Sequence, residues 1–352
     1  MSDGELKALA GPQVDPTPIF EQFRGSYGSE LLTAAVAHFG VFRLLDDEPR
    51  SIADLQTALG LASRPMTVLV TALRAMGLLQ LDSERHLDLT NLAREHLIAG
   101  GEFFVGDYVG LAASSPGVMT MVEHLRSDQP ADIGGAGAAF IYREGIQSAM
   151  EQEDLARHFT LALAGRAKNV APVLAERIPV SPEAHLVDVG GGTGIYSIAF
   201  LRRNPKMSAT VVDLPHVLTL AREFADEYGV SDRMSFVESD MFTYRIERPS
   251  SLILLSNVLH DWGEGSCQRL VTRYAEQLNQ QGSLLIHDVF LNDEMDGPLP
   301  IALYSAALFT LTEGRAYSAG EYRKWLESAG LEVKGPIPTL IHCGALMGIK
   351  GA

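Results

Sequence analysis

The glycine-rich run DVGGGTG, from Asp188 to Gly194, is the first segment whose composition suggests chemistry. Its glycines let the backbone approach a ligand where a Cβ would clash. A dinucleotide site spaces its glycines as G-x-G-x-x-G and places a pyrophosphate at the next helix N-terminus. Here the third spaced glycine comes one residue early. Asp213 follows about twenty residues later, where a carboxylate can accept both ribose hydroxyls. A nucleoside ligand without pyrophosphate therefore fits better than NAD.

Two further polar segments follow apolar runs. Asp240, in ESDMF, could accept a hydrogen bond from an exocyclic amine such as that of adenine, and His260 stands in the run NVLHDW. A lone histidine is more often a structural hydrogen-bonding group, but the neighbouring motifs at this edge favour a catalytic role for His260. An imidazole of pKa about 6.5 can accept a proton from a phenol at neutral pH, which generates a nucleophile.

Short apolar runs alternate with helical patterns from about residue 181, which predicts an α/β fold with a parallel, doubly wound sheet. Ligands bind such sheets beyond the carboxyl ends of the strands, where the motifs above are placed. The predicted strands are 185–189, 209–212, 234–237, 252–255, 283–289 and a last pair near 331 and 340–349.

The N-terminal half has helical periodicity. Apolar residues recur along one face over 20–39, which predicts a long helix. Ser51 to Asp54 has capping-box spacing, so a helix over 52–59 should follow, and a second should run from Pro65 to Met76. Apolar alternation on either side of a polar turn predicts a hairpin, and the whole pattern predicts a winged helix. Further helices are expected over 103–125 and 155–177, with a loop at 134–139.

Charge argues against nucleic acid as a partner of this winged helix. The 352 residues carry 28 Lys plus Arg against 44 Asp plus Glu, a net charge of -16. The second helix offers only Arg64 and Arg74 for phosphate contacts, so packing or dimerisation is favoured over DNA binding. We expect a homodimer, because the apolar face over 20–39 must be covered.

Other partners and compartments are limited by simple patterns. The first ten residues lack the apolar stretch of a secretory signal, and the apolar run 299–311 is too short to span a membrane. Only Cys267 and Cys343 are present, so neither a disulfide framework nor a four-thiolate zinc site is possible. We therefore expect a cytoplasmic protein with no membrane partner and no metal.

The motifs in combination resemble the S-adenosylmethionine-dependent O-methyltransferases of the plant caffeate and acetylserotonin type and their bacterial natural-product relatives. The match covers nearly the whole chain, with VDVGGGTG, VVDLP, FVESDMF and NVLHDW in order. It implies a Rossmann-like methyltransferase sheet, S-adenosylmethionine as cofactor and a phenolic or other aromatic small molecule as methyl acceptor. The predicted limits are a flexible tail at 1–15, a winged-helix dimerisation domain at 16–100, a helical connection at 101–180 that contributes to the substrate pocket, and a catalytic domain at 181–352.

The resemblance also assigns residues. His260 becomes the general base, and Asp288 the acid beside it. The cofactor-binding residues it implies are Gly190, Gly192, Asp213, Leu214, Asp240, Met241 and Ser256. The candidates for the substrate pocket, each of which could instead be ordinary core, are Phe159, Leu163, Trp262 and Ala307.

Two positions depart from the family pattern. The plant members carry two glutamates beside the base; Asp288 aligns with the first, but Ala316 stands where the second is expected, and Glu313 could replace it only if the loop shifts. Leu163 stands where many relatives carry methionine.

Asp261 is interpreted as the N-cap of the next helix, with Glu264 completing a capping box.

Two alternative functions remain open at this point. The first is an S-adenosylmethionine-binding enzyme of the same fold that performs non-methylating chemistry, such as hydroxylation or decarboxylation. The missing second acid at Ala316 keeps it open. The second is a winged-helix regulator that senses a small ligand, for which the chain has little basic surface.

Overall fold

The structure, a computed structural model, describes residues 7–129, 138–139, 147–148 and 153–351. The chain divides into two compact units, each made of separate stretches of sequence. The sheet unit comprises Met1–Phe20, Ile133–Phe290 and Ala319–Ala352, and the helical unit comprises Glu21–Asp132 and Leu291–Ser318. The predicted domain limits stay predictions.

Helices and strands of the described residues are numbered separately in chain order. The α-helices are α1 Thr17–Arg24, α2 Gly28–Thr33, α3 Val41–Asp46, α4 Ile52–Leu59, α5 Ser63–Ala75, α6 Asn91–His96, α7 Gly106–Gly110, α8 Pro116–Ser127, α9 Glu153–Arg177, α10 Ile195–Arg203, α11 Pro215–Glu227, α12 Glu264–Glu276, α13 Leu299–Leu311 and α14 Ala319–Ser328. The strands are β1 Leu79–Leu81, β2 Leu87–Leu89, β3 Ala138–Ala139, β4 Gln147–Ser148, β5 His185–Val189, β6 Ser208–Asp213, β7 Met234–Glu238, β8 Ser250–Ser256, β9 Leu278–Leu291, β10 Tyr317–Ser318, β11 Leu331–Pro338 and β12 Cys343–Lys350.

The central sheet of the sheet unit is mostly parallel. Its strand order is β11-β12-β9-β8-β5-β6-β7, with β5 to β9 parallel and with β12 and β11 antiparallel to their neighbours. The predicted strands are confirmed, and continuous apolar runs such as that of β5 are buried as parallel strands usually are. Val189 pairs with Val212 and Asp213 with Glu238, so the first three strands end at one edge.

The helical unit confirms the short elements that the sequence predicts. Ser51 Oγ accepts a hydrogen bond from Asp54 N at 3.1 Å and caps α4. Gly77, in the left-handed region at φ 72°, follows α5. The strands β1 and β2 then pair in antiparallel register, with Leu79 opposite Leu89.

The single long helix predicted over 20–39 is wrong, because α1 and α2 are separated by a 3₁₀ turn at Gly25–Tyr27 and a π turn follows at Ala34–His38. Two glycines weaken the helix where the side chain of Leu303 approaches it. A Cβ on Gly28 would lie 3.3 Å from Leu303 Cδ1. The apolar periodicity of the segment is real, but its backbone is divided into shorter helical pieces where Leu303 packs against it.

The predictions for the middle of the chain have mixed outcomes. The helix expected over 155–177 is confirmed as α9, whereas the expected helix over 103–125 is divided between α7 and α8. Pro116 begins α8 at a position where its missing N–H costs nothing. The loop predicted at 134–139 lies outside the described residues up to 137, and Ala138–Ala139 form β3.

Membrane-spanning and metal-binding features are both absent from the described part of the chain. Within it, no helix has the length and apolar character needed to cross a bilayer. Nor do three or more His, Cys, Asp or Glu side chains of those residues cluster as a metal site would require.

Candidate active site

The sheet unit contains a cavity of about 610 Å³ at the edge where β5, β6, β7 and β8 end. Such a volume is typical of small-molecule and cofactor sites. Parallel strands bring the loops that follow them to one edge, so motifs far apart in sequence meet here. The lining includes the following residues of these loops: Gly190, Gly191, Gly192, Asp213, Leu214, Asp240, Met241, Ser256, Asn257, Asp261 and Trp262.

The glycine-rich turn joins β5 to α10 in a conformation that suits glycine. Gly190, Gly192 and Gly194 have φ values of 64°, 57° and 69°. These lie in the left-handed region, which costs glycine little. A Cβ on Gly190 would stand 2.9 Å from Val258 Cγ2, closer than real contacts allow. The turn therefore keeps bare backbone against the cavity.

Asp213, at the end of β6, is tied to this turn. Its Oδ2 accepts a hydrogen bond from Gly192 N at 2.8 Å, and its Oδ1 accepts one from Leu214 N at 2.7 Å. Burial raises the pKa of Asp213, and the two backbone hydrogen bonds only partly offset this effect. The carboxylate thus shapes the glycine turn as well as lining the cavity.

The loop after β7 forms another wall. Asp240 Oδ1 accepts a hydrogen bond from Phe242 N at 2.7 Å, and the carbonyl of Met241 accepts one from Tyr274 Oη at 2.6 Å. The rings of Phe242 and Trp262 meet edge to face, with centroids 4.7 Å apart. Tyr274 was not predicted from the sequence, because a buried tyrosine on an amphipathic helix looks like ordinary core.

Ser256, which ends β8, belongs to a buried polar network. Its Oγ lies 3.0 Å from His287 Nδ1 and accepts a hydrogen bond from Asn257 Nδ2, also at 3.0 Å. Asn257 Nδ2 also donates to Tyr196 Oη at 3.2 Å. Burial lowers the pKa of His287 to about 3, so this imidazole is neutral. The network fixes Ser256 at the cavity edge.

His260 and Asp288 are brought together as the sequence suggested. His260 Nδ1 lies 2.5 Å from Asp288 Oδ1, and both side chains are buried. The same oxygen accepts a hydrogen bond from Val289 N at 2.8 Å, and Tyr322 Oη donates to Asp288 Oδ2 at 2.9 Å. Because an ionised carboxylate only accepts, Nδ1 must carry a proton, so in the neutral imidazole the lone pair is on Nε2.

The pKa values of this pair diverge from their ordinary ranges. Burial alone would lower the pKa of His260, but the charges of Asp288 and Asp261 and the hydrogen bond to Asp288 outweigh burial and raise it. Burial alone would raise the pKa of Asp288, but the charge of His260 and the three hydrogen bonds lower it. The imidazole is therefore a stronger base than usual, beside a carboxylate that stays ionised.

The N-cap interpretation of Asp261 is wrong. Gly263 precedes the first residue of α12, and Asp261 lies in a 3₁₀ turn at Leu259–Asp261. This tight turn brings Asp261 Oδ1 to 3.6 Å from His260 Nε2, although neighbours on an α-helix would point apart. Burial raises the pKa of Asp261 to about 6, against the opposing effect of His260.

A family model described as an O-methyltransferase domain matches residues 131–332, more than half of the chain. The chain belongs to the O-methyltransferase family. This methyltransferase is 31% identical over 317 residues to 3-hydroxy-5-methyl-1-naphthoate 3-O-methyltransferase of Streptomyces sahachiroi, a match that covers 90% of this chain and 89% of that protein. It is 28% identical over 318 residues to acetylserotonin O-methyltransferase of Bos taurus, with 88% and 90% covered.

A solved structure is similar over almost the whole methyltransferase. It is that of an O-methyltransferase family 2 protein from Planctomyces limnophilus DSM 3776 in complex with apigenin. The two chains are 45% identical, the TM-score is 0.89, and 98% of each chain is covered. The family resemblance inferred from the motifs is therefore confirmed, and the methyltransferase is an S-adenosylmethionine-dependent enzyme.

Asp188 and Arg166 are among the polar residues of the methyltransferase that line the cavity without having been predicted. Asp188 is fully buried, and its Oδ2 accepts a hydrogen bond from Ser197 Oγ at 2.7 Å. Burial raises the pKa of Asp188 to about 7. Arg166 contributes a guanidinium from α9. The signal for Asp188 was present in the VDVGGG motif, whereas nothing in the helical pattern distinguishes Arg166.

The residues predicted for the acceptor side fall in different places. Leu163 and Trp262 line the cavity, whereas Phe159 is not among its lining residues. Ala307 belongs to α13 of the helical unit, so its role stays a prediction. Ala316 is also in the helical unit, where it is buried and its N–H donates to Ser305 Oγ at 3.1 Å.

Proposed function

We propose that this methyltransferase transfers the methyl group of S-adenosylmethionine to a hydroxyl of a phenolic or other aromatic small molecule, with His260 as general base. The observation that carries the proposal is the contact of 2.5 Å between His260 Nδ1 and Asp288 Oδ1 beside a glycine-lined cavity. That contact fixes the tautomer of the imidazole, and the cavity edge supplies the groups that a nucleoside cofactor needs.

The cavity fits the cofactor by the chemistry of its walls. The bare backbone of Gly190 and Gly192 suits the methionine moiety, because a Cβ at Gly190 would collide with Val258. Asp213 and Leu214 would hold the ribose, through hydrogen bonds that an ionised carboxylate makes stronger. When bound, S-adenosylmethionine supplies an electrophilic methyl group on a positively charged sulfur.

The remaining polar groups of the cavity suit the other parts of the cofactor. Asp240 and Met241 would frame the adenine. Ser256, held by the His287 network, would donate or accept a hydrogen bond at the edge of the cavity. Arg166 has the charge to pair with the cofactor carboxylate. Asp188 Oδ1 is buried without a hydrogen-bond partner among the described residues, so it is poised to accept from the cofactor ammonium.

The proton chemistry follows from the His260 pair. A phenol has a pKa of about 10 and is mostly un-ionised near neutral pH, so its proton must leave as the oxygen attacks. His260 Nε2 accepts that proton, and Asp288 stabilises the imidazolium that forms. The rest of the acceleration comes from holding the acceptor oxygen in line with the methyl group.

An aromatic acceptor is supported by the apolar walls and by the relatives. Leu163, Phe242 and Trp262 line the same cavity, and the edge of one ring meets the face of another. A relative 45% identical was solved in complex with apigenin, and another is named for a hydroxynaphthoate. Phenols and hydroxylated polycyclic aromatics are therefore the acceptor class to test first.

The test is a turnover screen followed by one substitution. Apigenin, hydroxynaphthoates, catechols and hydroxyindoles are incubated with labelled methyl donor, and an acceptor that turns over is used with His260→Ala. We expect kcat to fall by about a hundredfold or more, the scale of general-base loss, while the Kd for S-adenosylhomocysteine hardly changes. His185→Ala, at the opposite end of β5, is the matched control.

The result that would overturn this assignment is full activity of His260→Ala on an acceptor that the wild type methylates. If no hydroxyl acceptor turns over although the cofactor binds tightly, the non-methylating alternative replaces the proposal. On an accepted substrate, Ala316→Glu tests the second acid that the family resemblance implies, and it should raise turnover.

We also infer that the helical unit takes part in a homodimer. Large apolar side chains of this unit are exposed, among them Tyr108 at 79% and Leu111 at 78%. Phe103, at 56%, lies close to them in sequence. Large apolar side chains that are exposed close together in sequence suit an interface between copies.

A further inference from the structure

The second oxygen of Asp288 has a partner that the family motifs do not include. Tyr322 Oη donates to Asp288 Oδ2 at 2.9 Å, and both residues are fully buried. Tyr322 lies in the first half of α14, well outside the runs that identify the family. The contact therefore comes from another element of the sheet unit, which packs beneath the carboxylate.

The ring of Tyr322 is held rigidly. Its centroid lies 5.4 Å from that of Phe290 and 5.2 Å from that of Trp325, and both pairs have edge-to-face geometry. Because the ring cannot easily turn away, the position of its hydroxyl is set by packing. A rigid donor fixes a carboxylate more effectively than a flexible one does.

We propose that Tyr322 is a positioning residue for methyl transfer, whose hydroxyl locks Asp288 so that His260 keeps its proton on Nδ1 and presents Nε2. The terminal torsion of an aspartate is broad and roughly two-fold, so one anchored oxygen alone leaves the carboxylate free to rotate. Val289 N and His260 Nδ1 both contact Oδ1, and Tyr322 supplies the hold on Oδ2. The inference rests on the proposed role of His260.

The departure at Ala316 makes this anchor more important. The resemblance places a second flanking glutamate there, and this chain has no carboxylate at that position. A single acid must then orient the imidazole on its Nδ1 side. The orientation of the imidazole then depends on how firmly the two oxygens of Asp288 are held. The hydroxyl of Tyr322 holds one of them.

The pH dependence has a definite sign. The charged and titratable groups around His260 are Asp288, Asp261 and Arg166, with Tyr322 behind Asp288. The hydrogen bond from Tyr322 stabilises the ionised carboxylate most when the imidazole is neutral. Removing this hydrogen bond therefore raises the proton affinity of the His260–Asp288 pair. The acid limb of the kcat profile, where the base must lose its proton, therefore moves to higher pH.

The test compares Tyr322→Phe with wild type on an accepted substrate. We expect kcat at pH 7 to fall by about tenfold, the acid limb to rise by roughly half to one pH unit, and the cofactor Kd to stay within about twofold. Labelling the histidines with ¹⁵N gives a second readout. Wild type should show His260 as the Nδ1–H tautomer, and the variant should show a mixture of tautomers.

Tyr274→Phe is the matched control, because it also removes one buried hydroxyl, in this case from the carbonyl of Met241. It should weaken cofactor binding and leave the acid limb unmoved. An unchanged acid limb and tautomer in Tyr322→Phe would overturn the inference, while an inactive His260→Ala would still support the proposed function. Equal loss of kcat at every pH, with only a lowered Tm, would assign Tyr322 a purely structural role.

Discussion

Replacing Asp213 with asparagine should separate two tasks that the structure gives to one carboxylate. Its oxygens accept hydrogen bonds from Gly192 N at 2.8 Å and from Leu214 N at 2.7 Å. An amide has one acceptor oxygen, so its NH₂ must face one of these two N–H groups. Either orientation leaves one of these two backbone donors without its acceptor.

The expected size of the effect follows from these contacts. A hydrogen bond to a charged group contributes about 1.5–3 kcal/mol, and the substitution removes the charge that would also strengthen the bonds to the ribose. We expect Asp213→Asn to weaken S-adenosylhomocysteine binding by about 2 kcal/mol or more, which is roughly thirtyfold in Kd. Asp213→Ala should lose at least as much.

Isothermal titration measures this loss directly. Glu238→Gln is the matched control, because Glu238 ends the neighbouring strand, is about half exposed, and pairs with Arg222 at 3.6 Å rather than lining the cavity. A 2′-deoxyribose analogue of S-adenosylhomocysteine separates the two tasks. If Asp213 binds the ribose, Asp213→Asn should no longer distinguish the analogue from the parent. An unchanged Kd in Asp213→Asn would refute the reasoning.

Two further predictions concern stability and assembly. Asp188 has a pKa raised to about 7, so the stability that it contributes is present below its unfolded pKa and is lost as pH rises through about 7. In urea melts, the free energy of unfolding of Asp188→Asn should therefore gain on that of wild type between pH 4 and pH 7, by at most about 4 kcal/mol. Parallel pH curves for the two proteins would contradict this prediction. Because Leu111 is exposed, we expect Leu111→Asp to shift a homodimer towards monomer, as measured by light scattering. Glu123→Gln is the control. A monomeric wild type would refute the dimer.

The parts of the site that the sequence predicts are those encoded locally. The glycine turn and Asp213 follow strands with clear apolar runs, so their place at one sheet edge follows from the alternation of strands and helices. Asp288 lacks such a local signal and was found through the family pattern alone. Its hydrogen bond to Tyr322 joins residues 34 apart in sequence and leaves no periodicity to recognise.

The errors have the same origin. Asp261 was misinterpreted because its spacing to Glu264 fits a capping box, whereas the chain makes a 3₁₀ turn and begins α12 later. The helix expected over 20–39 is interrupted by a 3₁₀ turn at Gly25–Tyr27, next to the point where the side chain of Leu303, distant in sequence, approaches Gly28. Local patterns specify the elements, but tertiary packing decides where an element bends and which side chain a turn brings to the site.

Four aspartates at one sheet edge differ in chemistry because they differ in hydrogen-bond donors. Asp288 receives three hydrogen bonds and its pKa is lowered, whereas burial raises the pKa of Asp188 to about 7 and that of Asp261 to about 6. The pKa of Asp213 is also raised, because its two backbone donors only partly offset burial. Only a carboxylate that is already ionised and compensated can stabilise an imidazolium without being protonated itself. Asp288 meets that condition at Nδ1. Asp261 Oδ1 lies 3.6 Å from Nε2, and its pKa, raised to about 6, leaves it less firmly ionised than Asp288.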